Sequence, residues 1–425
     1  MSDKVIKDKL NIKATILLSF GFFGSSLIWQ VYSNFVPPLL ESRFGFSTFV
    51  IGLIMAVDSF LGVIVQPLFG KLSDKTRTRF GRRLPYLFIC MPLCAILFIL
   101  IPHMPSVVSM MAVIIVFTFL MGVWRTPAVS LMPDMTPGPL QSQANGIVNL
   151  VGAVGAIIAL AGGGLMYSLG GSPLPFLMGG LLLLASMGVV ALFVREPEIP
   201  YANIKAKDKS VSIKNMEPRE RKSFFLLLFA IFFWFAGYNA IDTFFSLYVI
   251  HTLGRDAGLA GLMLSLFAVT LVAFSIPAGI IGAKVGRRKT IIIGLCGITI
   301  LFVPMLLFAH VGLTMGLLMA AGICWACVNI NSLPMITRIS GPMRIGTFIG
   351  YYYLFSFSAQ IITPPLLGFI RDIVGYYEVL FIYAIVGFSI AIIFMLFVKH
   401  GEINSPHSEP SLAVDDTQSV TNIDQ

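Results

Sequence analysis

The chain has 425 residues, of which 57% are hydrophobic and only 12% charged, and its mean hydropathy is +0.89. So little charged surface excludes an ordinary soluble domain, including a soluble enzyme with a large apolar core. The net charge of +9 must then be explained by where the basic residues fall along the chain.

A helix that crosses a bilayer needs about 20 mostly apolar residues. In chain order, such stretches lie near 14–38, 47–70, 84–102, 107–133, 143–169 and 174–194. After a polar break they resume near 223–250, 257–282, 288–309, 312–335, 345–370 and 376–399. The first stretch carries Trp29, Gln30, Tyr32 and Asn34 in its second half and no small-residue cleavage site, so it reads as a span and not a signal peptide. The 39 Gly and 24 Pro suit membrane helices, where small residues let backbones approach.

With the N-terminus placed in the cytoplasm, 25 of the 29 Lys and Arg residues fall on inner segments. They include Lys4, Lys7, Lys9 and Lys13, six between Lys71 and Arg83, eight in 195–222, four between Lys284 and Lys289, and Arg338, Arg344 and Lys399. Only Arg43, Arg255 and Arg371 fall outside, and Arg125 lies within the fourth span. This positive-inside pattern predicts cytoplasmic termini and a multi-pass protein of the plasma (inner) membrane. The positive charge then faces anionic lipid, and no nucleic-acid partner is implied. The five Cys sit in apolar runs; Cys324 and Cys327 have CxxC spacing but lie inside a span, which points away from redox or zinc chemistry. The five His share no helix, so no metal site is expected. No phosphate-binding loop or nucleophile motif is present, so neither an enzyme nor a cofactor is expected.

The sequence repeats weakly across the central break. Gly45 and Gly52 match Gly254 and Gly261; Trp124, Pro133 and Thr136 match Trp325, Pro334 and Thr337; Gly146, Gly164 and Gly171 match Gly350, Gly368 and Gly375. Gly81-Arg82-Arg83 and Gly286-Arg287-Arg288 close the loops after spans 2 and 8. These matches, in order, predict an all-α fold of two parallel six-helix repeats around a midplane cavity. The expected organisation is a bundle over 1–194, a basic cytoplasmic linker over 195–222, a second bundle over 223–399, and a disordered cytoplasmic tail over 400–425.

The loop from Gly70-Lys-Leu-Ser-Asp74 through Gly81-Arg82-Arg83-Leu-Pro85 resembles the signature between helices 2 and 3 of the major facilitator superfamily. With Val65-Gln66-Pro67 before it, and with Pro127 through Asp134 and Gln143-Ala-Asn145-Gly146 further on, the chain resembles the sucrose:proton symporters. Those are relatives of the glycoside–pentoside–hexuronide:cation symporters. The resemblance implies a major facilitator fold, a proton as coupling ion, and Asp134 as proton carrier. It also departs from the pattern. Plant-type sucrose carriers have an Arg five residues before that Asp, where Val129 stands here, and this chain's Arg125 lies four positions earlier. In melibiose-type relatives an acid occupies the slot of Arg125 and another that of Gln66, which argues against sodium coupling by their scheme.

Charges within hydrocarbon are costly, so intramembrane ionisable residues are candidates for function. Asp58, Arg125 and Asp242 lie within spans and Asp134 at an inner end. Arg125 is nine residues, about 13 Å of helix, from Asp134, so Asp58 is its better partner, either as an ion pair rearranged during transport or as a static packing pair. Polar and aromatic candidates for substrate contact are Trp29, Gln30, Tyr32, Asn34, Asn145, Asn149, Tyr238, Asn239, Trp325, Asn329, Asn331, Tyr352 and Gln360. Amides bond hydroxyls and aromatic rings stack on sugar faces; the alternative for each is interhelical hydrogen bonding. Gly70, Asp74, Gly81, Arg82, Arg83, Gly286, Arg287 and Arg288 form a candidate cytoplasmic gate, alternatively a topology anchor. The expected function is proton-coupled symport of a disaccharide or other glycoside by alternating access, by a monomer. An exporter of amphipathic compounds and a non-transporting membrane sensor are the alternatives.

Overall fold

A computed structural model describes residues 10–197, 218–340 and 345–399. Among these residues, twelve helices are long and apolar enough to cross a membrane. They are α1 (Ile12–Phe44), α2 (Thr48–Lys75), α3 (Leu84–Leu100), α4 (Val107–Met135), α5 (Gln141–Gly170), α6 (Pro173–Phe193), α7 (Pro218–His251), α8 (Ala257–Val285), α9 (Arg287–Leu307), α10 (Val311–Ser340), α11 (Ile345–Val374) and α12 (Val379–Phe397). Each coincides with an expected span, but several run further. Helix α1 continues to Phe44 and α2 to Lys75, because polar residues can extend the backbone ladder beyond the hydrocarbon. Helix α7 begins at Pro218, inside the expected linker. Residues 198–217 of that linker, the tail 400–425, and Lys4, Lys7, Lys9 and Arg344 lie outside the described residues.

Local chemistry explains many boundaries. The side chains of Asn11, Ser47 and Asp256 accept from the backbone N–H groups of Ala14, Val50 and Leu259, and Ser106 forms a capping box with Ser109. Six glycines have positive φ, a conformation that disfavours a Cβ. They fall into pairs across the repeat: Gly45 with Gly254 (64° and 61°), Gly81 with Gly286 (110° and 106°), Gly171 with Gly375 (75° and 88°). The chain thus makes the same turns twice.

Helices α1–α6 pack among themselves, as do α7–α12. Helices α1 and α7 are the most enclosed, with 56% and 61% of their central residues buried, and they touch each other. On either side of them the halves meet along two seams, α2 against α11 and α5 against α8. Both seams depend on glycines at related positions. A Cβ at Gly52 would strike the carbonyl of Pro364, and one at Gly368 the carbonyl of Thr48. A Cβ at Gly261 would come within 2.7 Å of the carbonyl oxygen of Leu160, and one at Gly164 within 2.5 Å of that of Gly258. Backbones approach each other closely here. These contacts lie at the end of the bundle away from the basic loops, which we call the far end.

Candidate functional site

At the middle of the first half, α1, α2 and α4 bring together Trp29, Asp58 and Arg125. The Arg125 guanidinium carbon lies 5.1 Å from the centre of the Trp29 ring, a cation–π contact. Asp58 is buried, at 7% exposure. Its carboxylate and Arg125 act on each other through space, without an ion pair between them among the described residues. Tyr353 of α11 also acts electrostatically on Arg125 from the opposite half. Next to Asp58, the Ser59 hydroxyl donates to Oε1 of Gln360 across the seam (3.3 Å).

The second cluster lies between the halves. Gln30, Tyr238 and Asp242 are the polar lining of a cavity of about 130 Å3 whose other walls include Leu160, Ile241, Leu264, Phe267, Phe302 and Phe388. Ser33 of α1 stands beside the Asp242 carboxylate. Tyr238 stacks on Trp325 with centroids 4.8 Å apart and 12° between planes, and Phe235 packs edge-on against both Trp325 and Tyr352. This niche offers an aromatic wall, an amide and a carboxylate to a bound molecule.

Other candidates are occupied elsewhere. Tyr32 packs on Phe117 within the first half, and its buried hydroxyl has no hydrogen-bond partner among the described residues. Asn34 faces Gly261 in the α5/α8 seam region, with both amide atoms buried and unpartnered among the described residues. Asn239 donates to Phe235 O of its own helix (2.7 Å). Asn331 donates to Ala278 O and Cys327 O, joining α8 to α10. The Tyr352 hydroxyl meets that of Ser332 (3.3 Å), and Ser332 in turn donates to Asn329 O. Asn149 donates to Asn145 O (2.8 Å), and both lie exposed on α5 toward the basic end.

Asp134 is at the basic end, 1% exposed, gripped by two arginines that are each 5% exposed. Arg82 binds it through both Nε (3.1 Å) and an η nitrogen, and Arg83 through Nε (2.9 Å). Arg83 also donates to Asp74, Ser73 and the Gly70 carbonyl. Glu196, which follows α6, accepts from the backbone N–H groups of Arg82, Arg83 and Leu84 at 2.6–2.8 Å. A Cβ at Gly81 would fall on Glu196, so a glycine is needed both for its φ and for this close approach. Through these contacts the network ties α2, α4 and the end of α6 together within the first half. In the second half, Arg287 donates to Pro334 O (3.0 Å), and Arg288 to Met395 O and Leu396 O (2.9 and 2.5 Å). Sequence reading overlooked Glu196. Its signal was an acid placed directly after a span, at the head of a stretch in which basic residues outnumber acids.

Among the described residues no group of His, Cys, Asp or Glu is arranged to hold a metal ion. The chain matches the Major Facilitator Superfamily over residues 18–256 and 243–420. It is 24% identical over 361 residues to the isoprimeverose transporter of Lactiplantibacillus pentosus, covering 78% of this chain and 67% of that protein. A shorter stretch of 79 residues is 30% identical to the putative glycoside/cation symporter YagG of Escherichia coli, covering 19% of this chain and 17% of that one. The nucleoside transporter NupG superposes with a TM-score of 0.72 at 15% identity, over 91% of this chain and all of that structure, a likeness of fold.

Proposed function

The chain belongs to the Major Facilitator Superfamily and is a multi-pass membrane transporter, and from that premise we propose that it is a proton-coupled symporter of a glycoside in the plasma membrane. The observation that carries this reading is the pairing of a buried, unbridged carboxylate with a guanidinium, Asp58 with Arg125, beside the aromatic face of Trp29. Burial opposes the charge on a carboxylate and a nearby guanidinium favours it. A group on which both act can change partners when a proton or a substrate arrives.

The coupling proton is assigned to Asp58. The family resemblance implies Asp134 as the carrier, but protonating it would take from two buried arginines the carboxylate they share, a costly step in place. Asp134 instead keeps the loop after α2 in one conformation, releasing its arginines only if the basic end rearranges. Asp242 is the second titratable group in reach of substrate, with Gln30 and Tyr238 lining the same cavity. The names of the isoprimeverose transporter and the glycoside/cation symporter favour a glycoside. The largely apolar niche favours one with an apolar face or aglycone. It also lends some support to the second reading, an exporter of amphipathic compounds. With the basic loops in the cytoplasm, the sealed far end is the outer one and the conformation faces inward.

The test uses proteoliposomes, acid outside and negative inside, holding a pH dye. Glycosides added one at a time are expected to acidify the lumen, and Asp58→Asn to abolish that signal while keeping substrate exchange without a proton gradient. Acidification that survives in Asp58→Asn but is lost in Asp134→Asn would return the proton to Asp134. Silence throughout, with efflux of amphipathic dyes, would favour the exporter.

A further inference from the structure

The two seams are closed at the far end by the same pair of groups, exchanged. In the α2/α11 seam, the carboxylate belongs to Asp372 of α11. It crosses to the other half and accepts from the first two N–H groups of α2, Thr48 (3.0 Å) and Phe49 (2.9 Å), beside the hydroxyl of the N-cap residue Ser47. In the α5/α8 seam, the carboxylate is itself the N-cap of α8. Asp256 accepts from Leu259 N (2.8 Å), and the hydroxyl comes from across the interface, Ser168 of α5 donating to Asp256 (3.1 Å). The repeat that relates Gly52 to Gly261 relates Ser47 to Asp256, and the one that relates Gly164 to Gly368 relates Ser168 to Asp372. Acid and hydroxyl have changed places between the two sides of the interface.

We propose that these two acid–hydroxyl pairs are the far-end gate of the transport cycle, with Asp372 as its principal residue. Asp372 is the better placed because the peptide N–H groups it satisfies belong to the opposite half. Opening this seam takes a carboxylate away from a helix N-terminus and leaves both less well satisfied. Opening the other seam leaves Asp256 on its own helix and costs one hydroxyl bond. The segment after Asp372 adds to the first closure. The Tyr377 hydroxyl donates to Glu41 of α1 (2.7 Å), whose other oxygen meets His251 of α7 (2.7 Å), and Tyr377 stacks on His251 with the Arg371 guanidinium over its ring (3.9 Å). Burial raises the Tyr377 phenol, with the Glu41 carboxylate adding to the effect, so it remains a neutral donor. The proposal is independent of the substrate and of which face of the membrane the far end occupies.

The test measures distances between spin labels at His103 and Tyr376, exposed far-end positions in opposite halves, in full-length protein with the native cysteines replaced. Asp372→Ser is expected to raise the far-end-open population by about threefold or more, with helicity and elution profile unchanged. Adding Ser47→Asp, which rebuilds the α5/α8 arrangement in this seam, is expected to return the distribution to that of the parent. Asp256→Asn is expected to shift it less than Asp372→Asn. If Asp372→Ser does not fold, Asp372→Asn is read in its place. An unchanged distribution without Asp372, or an opened one that Ser47→Asp fails to close, would overturn the proposal.

Discussion

After α2, the triplet Gly81-Arg82-Arg83 closes on carboxylates; after α8, Gly286-Arg287-Arg288 closes on backbone carbonyls. The backbone turn is the same, with φ of 110° and 106° at the two glycines. The position related to Asp134 is Met335, and that related to Asp74 is Ala283. Without acids, the second pair of guanidiniums falls back on carbonyl oxygens late in α10 and at the C-terminal end of α12, where the helix dipole also favours a cation. One repeat became an ion-pair lock, while the other is a helix clasp that water can partly replace.

The comparison can be broken most severely at Asp134. Asp134→Asn should take the shared carboxylate from two buried guanidiniums, leaving Arg83 only its bonds to Asp74, Ser73 and the Gly70 carbonyl, and cost about 3–5 kcal/mol, read as a lowered unfolding temperature of the detergent-solubilised protein. Glu196→Gln should cost less, about 1–2 kcal/mol, since one of two acceptor oxygens and the charge are lost opposite three N–H groups. Its loop should also become open to protease. Met335→Asp would sharpen the comparison by giving the second half its missing acid. In a double-mutant cycle with Arg287→Ala, a favourable coupling of about 1 kcal/mol or more is expected, and none if the arginine cannot leave the Pro334 carbonyl. The smallest effect should come from Arg288→Ala, about 1 kcal/mol or less, because one of its two bonds is already exposed to water. Equal losses for Arg288→Ala and Asp134→Asn would contradict the distinction between lock and clasp.

Much of the architecture was legible in the sequence because the bilayer forces it. An apolar stretch long enough to span must be helical, and a turn that demands positive φ marks itself with glycine, as Gly45/Gly254 and Gly171/Gly375 do. Intramembrane charge was equally plain, and Asp58, Arg125 and Asp242 all face other polar or aromatic groups in the interior. Individual partners were not legible. Asn34, Asn239 and Asn331 look alike in sequence, yet among the described residues one is unpartnered, one bonds its own helix and one joins two helices. Helix rotation decides among these, and with apolar residues all around a membrane helix no stripe of hydrophobicity records it. Glu196 escaped for another reason. Its role is to accept three main-chain N–H groups, and main-chain donors carry no residue-specific trace.

The glycine-lined seams bear on how readily the wall between the cavity and the far aqueous phase can part. Interdigitated side chains must change rotamer, or open voids, before two packed surfaces separate. At Gly52 and Gly368 one backbone rests against another, and at Gly164 and Gly261 a backbone carbonyl of the opposite half is the nearest group. Such surfaces can part with low internal friction and little trapped volume. Resistance to opening then falls on the few polar groups at their edge, so the gate is set by bonds that a single substitution can reach and not by the repacking of a core.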